Sequence, residues 1–254
     1  MPAATRLPER AQQKDNLCGP FWAARVLLDA GFRASAGETI DEDLVANRAG
    51  SALPDKSSGP SVPAGAASLT DYRYELPRVP VEESGTSAAG LVRAIESLSN
   101  GALACVPIRG GWTAGRVEQL VAGASRLDAR LIANVRTGCL WGSRPAPEVL
   151  LGELAGRTVQ GPPPDWDVGH FVELAMLLQG PRNALVVVND SYSSLGWEGR
   201  HLQPPRVLAA ALQRGDGREG GVLAVVPRPK ADAVAEFVIE LGLELGTWNN
   251  GSRS

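Results

Sequence analysis

Histidine and cysteine are scarce in this chain of 254 residues: two histidines and three cysteines are present. With so few ligands and no Cys-x-x-Cys pair, the pattern of a structural zinc site is missing. The cysteines, Cys18, Cys105 and Cys139, are odd in number and far apart. That excludes a disulfide framework and implies reduced thiols. An excess of positive charge is also lacking. Lys and Arg total 25 against 28 Asp and Glu, a formal net charge of −3. No basic run stands out, which argues against nucleic acid or an anionic membrane as partner. No stretch approaches the roughly 18–20 apolar residues a membrane span needs. MPAATRLPERAQQKDN has no apolar core of the secretory kind. The expectation is a cytoplasmic protein with no membrane partner.

What is present is an ordinary apolar content of 44%, enough to bury a sizeable core. Gly19 to Ala30 reads as a helix that is apolar almost all round, with Arg25 and Asp29 sharing a narrow exposed stripe. Residues 34–90 hold Pro54, Gly59-Pro60, Pro63, Pro77 and Pro80 and read as an irregular insertion, with one short helix near Asp41. Thr86-Ser87 is a cap before Leu91, Ile95 and Leu98 at helical spacing. ALACVPI at 102–108, RLIANV from 130, HFVELAMLL at 170–178, NALVVVND at 183–190 and GVLAVVP at 221–227 read as strands. The run at 170–178 is apolar throughout, so periodicity does not separate strand from helix there. Helices are expected over 116–124, 204–214 and 232–245, and residues 142–166 are again rich in Gly and Pro. Helices first and strands in close succession later give an α+β class. The expected architecture is one domain over 1–254, a mostly antiparallel sheet packed on the helix that begins at Cys18.

A thiol becomes a nucleophile when its thiolate is stabilised, and a helix N-terminus does this through free N–H groups and the macrodipole. Cys18 precedes Gly19-Pro20, and proline is favoured in a first helical turn. Attack on a carbonyl creates an oxyanion that needs donors. The Cys18 N–H is one, and a glutamine amide upstream is a second: Gln12, six residues before, with Gln13 as the alternative. His170, opening a strand after Gly169, is the candidate base, while His201 in GRHLQPP reads as a surface loop residue. Asn189-Asp190 ends the next strand, and a Gly-Pro turn would return it towards His170. Neighbours on a strand face opposite ways, so one of the two orients the imidazole; Asp190 is favoured because a carboxylate holds an imidazolium better.

Gln-x5-Cys-Gly-Pro at a helix start, Gly-His-Phe-Val on a strand and an apolar strand ending in Asp resemble the papain-like cysteine peptidases. The likeness is greatest to the bacterial branch that removes leader peptides after a double glycine, the bacteriocin-processing peptidases. The resemblance covers the segments around 12–32, 130–136 and 168–196. It implies a papain-like fold with Gln12 on the oxyanion, Cys18 as nucleophile, His170 as base and acid, and Asp190 as its orienting group. The implied substrate is a peptide or protein, cleaved through a thioester, with no cofactor. Two rivals stand beside it: an acyl or peptidyl transferase of the same fold, and a peptide-binding protein without activity.

Other features read more plainly. Cys139 is a weaker rival nucleophile, because it follows a strand and opens no evident helix. Cys105 lies within an apolar strand and reads as core. Asp41, Glu42 and Asp43 look like an acidic first turn. GDGREGG at 215–221 reads as a loop, and Trp166 and Trp197 as packing or cleft walls.

Overall fold

The strand predicted at 221–227 lies at the heart of the sheet, paired on both sides. The computed structural model describes residues 12–55 and 62–253. Gly59-Pro60 lies outside the described residues. The order is α1 (Cys18–Asp29), β1 (Ala34–Ser35), β2 (Glu38–Thr39), α2 (Glu42–Ala49), β3 (Leu53–Pro54), β4 (Arg78–Val79) and α3 (Ala88–Leu98). β5 (Leu103–Arg109), α4 (Ala114–Ala124), β6 (Arg130–Arg136), α5 (Pro147–Leu154), β7 (Gly169–Gln179) and β8 (Ala184–Asn189) follow. β9 (Arg200–Gln203), α6 (Pro205–Gln213), β10 (Gly221–Pro227), α7 (Ala231–Glu240) and β11 (Glu244–Leu245) complete it. Seven strands form one sheet in the order β11-β5-β10-β6-β7-β8-β9. Every neighbouring pair in it is antiparallel. The fold is therefore α+β, as expected.

Both faces of this sheet are covered, which explains the continuous apolar strands. Leu223, Val225, Ile132, Phe171 and Cys105 pack with Phe21, Trp22, Leu27, Leu91 and Ile95 of α1 and α3. Val222, Ala224, Leu131, Ala133, Val172 and Leu174 pack on the other side with residues of α4, α6 and α7. The alternation of period two holds residue by residue, so the ambiguous run at 170–178 resolves as strand. A bulge between Leu174 and Met176 then shifts the register, and Met176 and Leu178 face outwards.

Three expectations need correction. Residues 142–166 include a helix, α5, opened by Pro147 at its first position, where the missing N–H does no harm. His201 is on a strand, β9, and not in a loop. The last helix stops at Glu240, because Gly242 takes a left-handed φ of 72°. Leu245, the end of the expected helix, belongs to β11 and is exposed.

The 34–90 segment is more ordered than its composition suggests, and it has a task. Asp41 caps α2 by accepting from the Leu44 N–H at 2.8 Å. Residues 12–17 run across this segment as a strap. Asp15 accepts from Ser68 Oγ and the Leu69 N–H, and the Tyr72 hydroxyl donates to its carbonyl at 3.0 Å. Lys14 Nζ pairs with Asp43 at 2.7 Å, and the Lys14 N–H donates to the Glu42 carboxylate at 3.2 Å.

Burial raises the Glu42 carboxyl to about 7, outweighing the Lys14 N–H that favours its charge. Between about pH 4.5 and 7 the folded protein thus keeps a proton that the unfolded chain has released, and stability falls as pH rises through that window. Glu42→Gln keeps the acceptor and removes the titration. Urea unfolding should find the variant stabilised at pH 7 relative to pH 4.5, by on the order of 2 kcal/mol. Equal differences at both pH values would contradict this.

Candidate active site

Cys18 is the first residue of α1, preceded by Leu17, whose side chain supplies no cap. The Cys18 and Gly19 N–H groups have no hydrogen-bond partner among the described residues, and Pro20 has no N–H to offer. The positive end of the helix is therefore open at the sulfur. One turn on, Trp22 Nε1 donates to the Phe171 carbonyl at 3.1 Å inside the core. This bond fixes the helix against β7 at the residue next to His170. Gly19 permits the close approach: a Cβ there would lie 3.0 Å from Leu91 and 3.2 Å from Phe171.

His170 is 1% exposed. Its Nε2 lies 3.1 Å from Asp190 Oδ1, and it lines the same cleft as Cys18. With Nε2 engaged by the acid, Nδ1 is the nitrogen left for the thiol. Trp166 meets the ring edge-on at 5.2 Å and Tyr192 stacks on it at 5.8 Å. Burial alone would lower the pKa of this imidazole. The Asp190 charge and hydrogen bond, with Cys18 adding to them, overcome that and hold it above its usual value. Burial likewise opposes the Asp190 charge, yet His170 holds that carboxyl below its ordinary range. The pair favours an imidazolium beside the thiol.

The sheet register explains how residues 170 and 190 meet. Asn189 pairs with Glu173 across β7 and β8, and its amide donates to the Glu173 carboxylate at 2.7 Å. Asp190, the next residue, faces the opposite way and reaches His170. The choice between Asn189 and Asp190 is decided by this alternation.

The glutamine assignment is corrected by one position. Gln12 is turned away, its amide donating to the Ala67 carbonyl at 2.5 Å. Gln13 is 2% exposed and lines the same cleft as Cys18 and His170. Its N–H donates to the Ser191 carbonyl at 3.2 Å, and Ser191 Oγ donates to its Oε1 at 2.5 Å. With the oxygen held, the amide nitrogen is the end left for the cleft; it donates to the Lys14 carbonyl at 3.2 Å and keeps one hydrogen spare. The strap alternates in and out, so a shift of one residue exchanges the two glutamines.

These side chains share a cleft of about 240 Å³. Asn16, Thr86, Asn134, Trp166, Tyr192 and Asn250 also line it. Arg214 and Arg218 line it as well, so the cleft presents amides, aromatic faces and two guanidinium groups. A family model matches residues 3–249. The chain belongs to DUF6885, a family of unknown function. No curated protein and no solved structure matches it.

The other candidates in this DUF6885 chain fall away from the cleft. Cys105 is buried, and burial pushes its thiol far above the usual range. Cys139 ends a short 3-10 turn and does not line the cleft. Trp197 is 51% exposed and outside it, whereas Trp166 is a wall. Asp41, Glu42 and Asp43 serve the helix start and the strap. Among the described residues no cluster of three or more His, Cys, Asp or Glu side chains could hold a metal, and no helix is long and apolar enough to cross a membrane. Ser191 and Tyr192 were missed by sequence reasoning. Their position directly after Asn-Asp was the available signal, since a strand exit that supplies one site residue brings its neighbours along.

Proposed function

We propose that this DUF6885 protein is a cysteine peptidase with a papain-like catalytic arrangement. The observation that carries the reading is that Cys18, at a helix start, and His170 line one cleft, with the Asp190 carboxylate 3.1 Å behind the ring. His170 accepts the thiol proton, and the sulfur attacks the scissile carbonyl. The Cys18 N–H and the Gln13 amide receive the oxyanion. As the tetrahedral adduct collapses, His170 returns the proton to the leaving amine and a thioester remains on Cys18. His170 then takes a proton from water, which attacks the thioester and frees the acid product and the thiol. The motif resemblance supports a narrower substrate, the leader of a small precursor peptide.

The test is incubation of the full chain with a proteome-derived peptide library, with and without prior iodoacetamide, followed by mass spectrometry of new termini. New termini that vanish on alkylation of Cys18 are expected. No cleavage, or labelling of Cys139 as fast as Cys18, overturns the reading. An added amine appearing in the products would identify transfer instead of hydrolysis.

The corrected glutamine makes a separate prediction. Gln13→Ala should slow turnover by about 10²–10³-fold, the usual effect of losing one oxyanion donor. Gln12→Ala should leave kcat within about twofold, since its amide points at Ala67. Steady-state rates on one cleaved peptide decide this, and the reverse ranking would contradict the assignment.

A further inference from the structure

Asp190 does not stand alone behind His170. Its Oδ1 is taken by His170 Nε2 at 3.1 Å and by the Tyr192 N–H at 3.0 Å. Its Oδ2 faces His201 Nε2 at 3.8 Å, just past hydrogen-bond reach. His201 lies on β9 opposite Val188 of β8 and is 3% exposed. Its Nδ1 is 3.1 Å from Gln203 Nε2.

The orientation of Gln203 is fixed. Its Oε1 accepts from the Trp141 N–H at 2.9 Å, and its Nε2 donates to the Trp141 carbonyl at 2.8 Å. The second amide hydrogen therefore points at His201, whose Nδ1 must accept it. The ring proton then sits on Nε2, the nitrogen that faces Asp190.

We propose that His201 is a positioning residue of the catalytic centre, held by Gln203 as the neutral, Nε2-protonated tautomer so that its N–H keeps the Asp190 carboxylate ionised and aimed at His170. This rests on the peptidase reading. The charged and titratable groups around the pair are His170 on β7, Cys18 on α1 and the Tyr192 phenol, which burial holds neutral. Arg214 lies beside Gly169, paired with Asp216 at 2.8 Å. The His170 and Tyr192 hydrogen bonds both fall on Oδ1, and the donor beside Oδ2 is His201 Nε2. Without it the N–H dipole that faces this buried carboxylate is lost, and its ionised form behind His170 is less favoured.

The experiment follows the rate of Cys18 alkylation by iodoacetamide against pH, in the full-length chain and in His201→Phe and His201→Gln. In His201→Phe the acid limb should move up by about one pH unit, a tenfold slower reaction on that limb. His201→Gln, whose amide can supply the missing N–H, should move less than half as far. A folded His201→Phe with the limb unmoved or moved down overturns the proposal. If instead Cys18 of the unmodified chain labels no faster than Cys139, the peptidase reading itself fails, so the two failures are distinct. Should His201→Phe not fold, ¹⁵N spectra of the unmodified protein decide, since the chain has two histidines. A neutral ring with its proton on Nε2 is expected for His201. A ring protonated on Nδ1, alone or together with Nε2, overturns the proposal.

Discussion

Cys18→Ala should lose all measurable turnover, a fall of at least about 10⁴-fold, while the protein remains folded. In the proposed mechanism the sulfur is the atom that forms the thioester, and no other thiol lies in the cleft. The fold survives because Cys18 sits at the edge of the core, half-buried against the α1 cluster. Removing its sulfur should change stability by about 1 kcal/mol or less. His170→Ala should be equally inactive, and the double variant no worse than either, because the two act as a unit. Rates on a cleaved peptide and thermal melts of the three variants check this. A Cys18→Ala protein that still turns over ends the mechanism.

The second large effect belongs to Asp190. Asp190→Asn keeps the shape and removes the charge. The His170 pKa is raised because the carboxylate outweighs burial. With the charge gone, burial acts alone and the imidazolium gives up its proton at lower pH. The alkaline limb of the kcat/KM profile should move down, and the acid limb, set by the thiol, should move up. A narrowed bell with a rate about 10²–10⁴-fold lower at neutral pH is the expected result. If the profile keeps its width and loses only height, Asp190 is not setting the imidazole.

Legibility from the sequence followed physical scale. The strand runs, the Ser87 cap and the apolar α1 were readable because each depends on local pattern. Cys18 and His170, which line one cleft, could be singled out because the chain has so few cysteines and histidines. What was not readable depends on contacts distant in the chain. Gln12 and Gln13 are indistinguishable in sequence. Only the Ser191 carbonyl, far along the chain, selects Gln13. His201 looked exposed because GRHLQPP is polar and proline-rich. Its burial comes from β8 on one side and the Asp190 carboxylate beyond. Residues 34–90 looked irregular because their order comes from side chains such as Asp15 and Glu42, not from a repeat.

The hairpin of β7 and β8 carries one more implication, for how this molecule tolerates change in length. His170 and Asp190 sit at the open end of a two-strand ladder whose rungs fix their spacing. Deleting a single residue within either strand, away from the bulge and the turn, would put one of the two on the wrong side of the sheet. The stretch from Gly142 to Asp165 holds no strand of this sheet and lies under no such constraint, and Cys18 is tied to β7 through Trp22 and not through the chain between them. Natural length variation in this family should therefore gather in that stretch and spare the hairpin.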